Sequence, residues 1–351
     1  MRHILLLSIL LILAPQTWAV VRVADLYEAQ VPVADQGEAE RSRALTEALG
    51  QVAMRVSGLR QAAQAEAIRE AAGDAQRLVQ QYRYVRGEGD ALMFLARFDP
   101  RGVDALLEGA GLPRWGQDRP LTLVWLALQD GQGRTIAGAD SPGPAGEALR
   151  EGARGRGLPT VLPLMDLEEQ NQVRFTDIWG GFHDTVVAAS RRYGAEAVLI
   201  GRVDRLAADH WQARWTLVLQ EREYQWKSGG ERLEAAVSGA VDELAQILAG
   251  RFALRAGGPS GGHLRLSITD VRTLEDYARV ARALGSRELI RQAQLREVGP
   301  NALRYDLQLQ GDVDNLRRQL ALSEQLAPVD ERAPPPGGAA AAEELRYRLL
   351  P

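Results

Sequence analysis

The chain has 351 residues, of which 46% are hydrophobic and 25% are charged, and its formal net charge is -4 at pH 7. These proportions are ordinary for globular proteins, and the slightly negative charge excludes a global field that would attract nucleic acid or anionic lipid. Cysteine is absent, which excludes disulfides, thiolate metal ligands, a cysteine nucleophile and a lipid-modified amino-terminal cysteine.

The amino-terminal segment predicts a secretory signal peptide over residues 1–19. It opens with a short basic stretch, continues as an apolar run over residues 4–15, and ends with the small residues Thr17 and Ala19 before a cleavage site at Val20. The apolar run is shorter than the roughly 20 residues that span a membrane. We therefore expect a periplasmic protein that is not a lipoprotein and is not stably inserted in the membrane. The alternative is a buried amino-terminal helix.

Residues 20–112 are predicted to form a small α+β domain. Alternating apolar residues over 21–31 indicate a strand. The apolar spacing from Ala44 to Val56 indicates a helix that Asp35 caps at its start and Gly58 at its end. The remaining predicted elements are a helix over 62–72, a hairpin of 80–86 with 91–98, and a short helix that begins at Asp99-Pro100.

Residues 116–255 are predicted to form an α/β domain. Near-continuous apolar runs indicate strands covered on both faces, at 121–128, 158–164 and 195–203. Helices are expected near 145–154 and from Thr176 or Asp177 through Arg192. A strand of period two follows from Trp211, a second strand returns through Trp226, and an amphipathic helix over 233–252 closes the domain.

The carboxy-terminal part is predicted to be a third domain. A glycine-rich linker at 256–262 precedes residues 263–330, whose elements follow the βαββαβ order of ferredoxin-like domains. Its second helix is expected over 313–322 and its last strand over 324–329. Residues 331–351 form a low-complexity tail, in which 344–350 could add an edge strand.

Several stretches carry a family resemblance. Residues 26–33 read LYEAQVPV, residues 38–45 read EAERSRAL, residues 55–58 read RVSG and residues 194–203 read GAEAVLIGRV. In these stretches the chain resembles the proteobacterial family known as domain of unknown function 2066. The resemblance implies an exported protein and brings no catalytic residue and no substrate. The middle domain is also similar in pattern to small α/β domains that make protein–protein contacts in the cell envelope.

Aromatic residues give the candidate interaction surface. Trp211 and Trp215 fall on one face of a strand and are interpreted as core. Trp179 lies beside two glycines and Phe182 in an expected loop, so Trp179, Phe182 and Arg174 form the candidate surface. Exposed aromatic residues anchor protein interfaces and also stack on sugar rings.

Catalytic patterns are weak. Asp166, Asp177, His183 and Asp184 could form an acid/base cluster, although neighbours on a helix point about 100° apart and orient one another poorly. The glycine-rich segment 152–157 lacks the order of a phosphate loop. Nearly all basic residues are arginine, which could reflect phosphate binding, but we interpret the bias as that of a GC-rich genome.

Three functions follow in order of preference. The first is a non-enzymatic periplasmic adaptor or protein-interaction module with envelope proteins as partners, no nucleic-acid partner and no cofactor. The second, from a different class, is a peptidoglycan- or glycan-binding module that uses Trp179. The third is a hydrolase, which would require the cluster at Asp166, Asp177, His183 and Asp184 to form one pocket.

Overall fold

The computed structural model describes residues 20–219, 222–253, 260–285, 290–310, 313, 316–317, 320, 325–329 and 344–350. The predicted signal peptide lies outside these residues, as do residues 256–259 of the predicted linker and most of the low-complexity tail. The described residues form four sheets flanked by helices, so the predicted mixed α and β class is confirmed. No helix within this part of the chain is long and apolar enough to span a membrane.

The amino-terminal unit packs three helices against a small antiparallel sheet. Its elements are β1 (Val20–Arg22), β2 (Glu28–Pro32), α1 (Glu38–Ser57), α2 (Glu66–Ala72), β3 (Val79–Arg86), β4 (Leu92–Phe98) and α3 (Pro100–Gly109). The sheet has the order β2-β4-β3. The strand predicted over 21–31 is therefore two strands, and β1 instead pairs with β5 (Asp118–Pro120).

Helix α1 buries the apolar stripe that its sequence predicts. The stripe lies against the sheet in one hydrophobic core, and Gly58 ends the helix in the left-handed conformation with φ 72°. The predicted cap at Asp35 is wrong. The helix begins at Glu38 after Gly37, and the Asp35 carboxylate accepts its hydrogen bond from the Gly37 backbone N–H. Asp99 does cap α3, accepting from the Gly102 N–H.

The middle unit is a three-layer arrangement. Its strands are β6 (Thr122–Asp130), β7 (Gly133–Ile136), β8 (Thr160–Val161), β9 (Ala197–Ala207), β10 (His210–Leu219) and β11 (Arg222–Gly230). Its helices are α4 (Gly143–Arg156), α5 (Leu167–Gln172), α6 (Phe175–Gly180), α7 (His183–Ser190) and α8 (Leu233–Phe252). The sheet has the order β11-β10-β9-β6-β7, with β8 pairing in parallel to β6.

Both faces of this sheet are covered, as the apolar runs predict. Helices α4 and α8 pack on one face and α6 and α7 on the other, each over its own hydrophobic cluster. Two expectations are corrected. The strand predicted over 158–164 pairs only at Thr160–Val161, and the long helix predicted through Arg192 breaks because Gly181 adopts φ 79°.

The carboxy-terminal unit differs from the ferredoxin-like order on one side. It contains β12 (Ser260–Thr269), α9 (Leu274–Gly285), β13 (Ile290–Val298), β14 (Ala302–Gln310), β15 (Leu326–Pro328) and β16 (Glu344–Leu349). Strand β14 lies between β12 and β13 as predicted, but β16 pairs in parallel with β12 and displaces β15 to the edge. The tail strand is therefore not the edge strand. β12 also includes three residues that were expected in the linker.

A buried arginine joins the amino-terminal and middle units. Arg119 has no exposed surface, and its guanidinium stacks on the ring of Trp115, with 4.2 Å between the guanidinium carbon and the ring centroid. Its nitrogens donate at 2.7–3.2 Å to backbone carbonyls of both units, those of Arg55, Trp115, Gly116, Arg156 and Gly157. Because a buried charge is costly unless it is hydrogen-bonded, these carbonyls fix the position of the guanidinium.

Two further contacts hold the same junction. The Arg156 guanidinium donates to the Gly58 carbonyl at 2.8 Å and lies 3.5 Å from the Asp242 carboxylate on α8. Gly58 itself approaches α8 so closely that a Cβ atom there would lie 2.3 Å from the Cβ of Ala249. The end of α1 therefore packs on α8 only because residue 58 has no side chain.

We predict that Gly58→Ala lowers the free energy of unfolding by about 2–4 kcal/mol, from left-handed strain and steric overlap together. The matched control is Gly250→Ala, next to Ala249 on the exposed side of α8, where a Cβ meets nothing within 4 Å. This change raises stability by about 0.5–1 kcal/mol through helix propensity. Urea unfolding followed by tryptophan fluorescence measures both, and equal effects would contradict the close approach.

Candidate functional site

The predicted surface at Arg174, Trp179 and Phe182 lies on the helices that cover one face of the middle sheet. Trp179 is in α6, not in a loop, and it is half-buried because its ring stacks on Phe175 with centroids 5.0 Å apart. Phe182 is 60% exposed, and Arg174 is also exposed. The ring that faces solvent is therefore that of Phe182 and not that of Trp179.

Asp166 has a structural role in this layer. Its carboxylate accepts from the Glu169 N–H at 2.9 Å at the start of α5 and pairs with Arg192 at 2.9 Å. The backbone hydrogen bond from Glu169, followed by the Arg192 guanidinium, lowers the pKa of Asp166. Glu169 is buried, and its carboxylate accepts hydrogen bonds from the Met165 N–H and the Tyr193 hydroxyl. These hydrogen bonds fix the position of the loop after β8.

The other members of the predicted catalytic cluster make separate contacts. Asp177 caps α6 by accepting from the Arg174 N–H at 2.7 Å, Asp184 is exposed, and His183 Nδ1 lies 3.4 Å from a carboxylate oxygen of Glu223. No hydrogen bond or ion pair joins these residues to one another or to Asp166 in the described part of the chain. The described residues also contain no group of three or more acidic or histidine side chains placed for a metal ion.

A cleft of about 640 Å³ lies between the amino-terminal and middle units. The amino-terminal wall comes from β1 and β2, and the opposite wall comes from the end of α4 and the start of β8. Both apolar and charged side chains line it. The apolar lining includes Val21, Val23, Ala29, Leu95, Leu158 and Pro159, and the charged lining comprises Arg22, Asp25, Glu28, Arg55, Arg150 and Arg154.

The outer edge of β2 borders this cleft. The Tyr27 carbonyl accepts from the Phe98 N–H, and the Val33 N–H donates to the Leu92 carbonyl, so odd-numbered residues of the strand bond to β4. By the alternation of an antiparallel pair, the backbone groups of residues 28, 30 and 32 point away from the sheet.

Arginines occupy most of that outer edge. Arg55 donates to the Glu28 carbonyl at 2.5 Å, and Arg43 donates to the Pro32 carbonyl at 2.8 Å. Proline has no N–H. Gln30 lies between them, and its backbone N–H and carbonyl have no hydrogen-bond partner in the described part of the chain. The edge therefore offers one residue, at Gln30, for pairing with another extended segment.

Arg55 positions β2 against the middle unit. Besides the Glu28 carbonyl, its guanidinium donates to the carbonyls of Asp25 at 2.9 Å and of Gly155 at 3.2 Å. Burial lowers the pKa of Arg55, partly offset by the nearby Asp25 and Glu28. Because its nitrogens hold backbone on both walls, Arg55 sets the width of the cleft.

Sequence reasoning missed this site. Arg22, Arg55 and Arg150 are far apart in the chain, and the arginine bias was attributed to genome composition. Arg154 belongs to the glycine-rich segment 152–157, which lacks the order of a phosphate loop. The one local signal was the repeat of like charge at Arg150 and Arg154, four residues apart on a predicted helix.

Comparison with known protein families gives a match over the part of the chain that forms the amino-terminal unit and its junction. Residues 20–116 match a family described as a domain of unknown function (DUF8605). The expectation of a domain of unknown function is therefore confirmed, but the family that matches is not the domain of unknown function 2066 family. No curated protein matches the chain.

Glu196 is a buried carboxyl group outside the cleft. It precedes β9, is 5% exposed, and its Oε2 atom has no hydrogen-bond partner on the described chain. Burial raises the pKa of Glu196 to about 7. Since the unfolded group titrates near 4.5, the folded state binds a proton more tightly between these two values, and stability falls as pH rises through that window.

We predict that Glu196→Gln stabilises the protein above pH 7 by roughly 3 kcal/mol and has little effect at pH 4. The reason is that glutamine remains neutral where the buried carboxyl must ionise. Glu151→Gln, on the exposed side of α4, serves as the control and should leave the free energy of unfolding unchanged at both pH values. Chemical unfolding at a series of pH values measures the difference, and a gain for Glu196→Gln that is equal at pH 4 and pH 8 would disprove the assignment.

Proposed function

We propose that the protein is an exported, non-enzymatic interaction module of the periplasm that captures an extended segment of an envelope protein in the cleft between its first two units. The free backbone N–H and carbonyl of Gln30 carry this proposal. Addition of a strand to a sheet edge is a common way to bind extended peptides, with main-chain bonds giving affinity and side-chain pockets giving specificity.

The flanking arginines support selective rather than indiscriminate pairing. A long open edge invites aggregation, whereas an edge blocked at Glu28 and Pro32 accepts one hydrogen-bonded residue pair only. The cleft volume, about 640 Å³, suits a few side chains of such a segment, and the apolar residues on both walls provide surface to bury.

Export rests on the sequence of residues 1–19, which has the basic start, apolar run and small residues of a signal peptide. The described chain begins at Val20, and residues 20–22 pair with β5. A mature chain cleaved after Ala19 would therefore retain all of β1, which contributes Val21 and Arg22 to the cleft.

A glycan-binding module remains the second candidate. The observation in its favour is the exposed ring of Phe182 beside Gly180, which replaces Trp179 as the aromatic that could stack on a sugar. Retention on purified peptidoglycan that depends on Phe182, and not on Gln30, would favour this candidate over peptide capture.

Photo-crosslinking in cells tests the proposed function. A benzophenone amino acid replaces the exposed, cleft-lining Asp25. We expect one discrete adduct in the periplasmic fraction, formed by a chain whose amino-terminal residue is Val20. Placing the crosslinker at Asp184, exposed on α7 outside the cleft, should give no such adduct.

The matched variants are Gln30→Pro and Gln30→Thr. Proline removes the outward N–H without disturbing the ladder to β4, whereas threonine keeps the N–H and the strand conformation. We expect the adduct to disappear with proline and to persist with threonine. An adduct that survives Gln30→Pro, or that forms equally from Asp184, would refute capture at this edge.

A further inference from the structure

We propose that the segment bound in the cleft is acidic, with its carboxylates held by Arg22, Arg150 and Arg154. This inference rests on the proposed function and adds the chemistry of the partner to it. The three side chains come from β1 and from the last two turns of α4, and all three line the cleft.

Arg150 and Arg154 are a pair of like charges that only one long ion pair offsets. They are four residues apart and so lie on one face of α4, where like charges repel by about 0.2–0.5 kcal/mol. Arg150 donates to the Ala139 carbonyl at 2.7 Å and forms a long ion pair of 3.8 Å with the exposed Glu147. Arg154 is exposed, and in the described chain its guanidinium has no hydrogen-bond or ion-pair partner.

Arg22 faces the same space from the opposite wall. It is exposed, and its Nε donates to the side chain of Gln117 at 2.9 Å, which holds the guanidinium in place without neutralising its charge. A guanidinium has five N–H donors, so the terminal nitrogens remain for a carboxylate in a bidentate arrangement.

The acidic residues of the cleft do not cancel these charges. Glu28 forms an ion pair with Arg97, and Asp25 lies in the field of Arg55. Arg22 and Arg154 are left without an ion pair in the described chain, and Arg150 has only the long, exposed pair with Glu147, on a chain whose formal net charge is -4. Since opposite potentials select partners and speed encounter, this local reversal of sign favours a negatively charged ligand.

The apolar lining and the free edge at Gln30 favour a peptide over a small anion. A free inorganic anion would use the guanidinium groups only, whereas an extended acidic peptide would also pair its backbone with Gln30 and bury apolar side chains on Val23 and Leu158. These features together specify an extended segment that alternates acidic and apolar residues.

Fluorescence anisotropy with the mature protein tests the inference directly. The probes are three labelled eight-residue peptides of alternating sequence, Glu-Val, Gln-Val and Lys-Val, measured at low and at physiological salt. We expect the Glu-Val peptide to bind at least about tenfold more tightly than the Gln-Val peptide at low salt, with the difference shrinking as salt screens the charges.

Charge-reversal variants test whether Arg150 and Arg154 bind the carboxylates of the peptide. The double variant Arg150→Glu/Arg154→Glu should abolish the preference for Glu-Val, whereas Arg101→Glu, on the exposed side of α3, should leave it unchanged. Equal binding of Glu-Val and Gln-Val peptides, both weakened by Gln30→Pro, would overturn the acidic partner while leaving peptide capture intact. Binding of phosphatidylglycerol vesicles or inorganic phosphate in place of the peptides would also overturn it.

Discussion

The arrangement of the first two units depends most on the buried guanidinium of Arg119. Arg119 is fully removed from solvent and has backbone carbonyls from both units around it, with the ring of Trp115 against its face. A guanidinium in such a place is stable only when its donors are satisfied, and satisfying them requires the end of α1 and the end of α4 to meet. The interface between the units is therefore specified by hydrogen-bond geometry as well as by apolar burial.

The cleft is a consequence of that junction. Helix α4 ends at Arg156, whose carbonyl is bound to Arg119, and the preceding turns place Arg150 and Arg154 on the cleft wall. On the other side, Arg55 ties β2 to the Gly155 carbonyl. The residues that hold the units together are thus continuous in the chain with the residues that line the space between them, and the same residue type serves both purposes.

The elements with long-range periodicity were predictable from sequence, and those fixed by single residues were not. The stripe on α1, the buried strands β6 and β9 and the helix α8 follow from hydrophobic spacing. The break at Gly181 and the displacement of Asp35 from its predicted cap depend on local backbone geometry that spacing does not encode. β16 pairs with β12 although the two strands are distant in sequence, and hydrophobic spacing does not determine which distant strand becomes the neighbour of β12.

The candidate site was harder to predict for a physical reason. Trp179 looked exposed because two glycines follow it, but its ring stacks on Phe175, which begins α6 just before the predicted helix start. The cleft draws its cations from β1, α1 and α4, so no local motif marks it. Only the junction at Arg119 brings them together.

Distance measurement between the two units tests this account most directly. The chain has no cysteine, so spin labels can be attached at Ser42→Cys on α1 and Glu151→Cys on α4, both exposed positions. The account predicts one narrow distance distribution for the otherwise wild-type protein and a broad one after Arg119→Met. A broad or multiple distribution before that substitution would contradict a junction fixed by the buried arginine, and with it the preformed cleft.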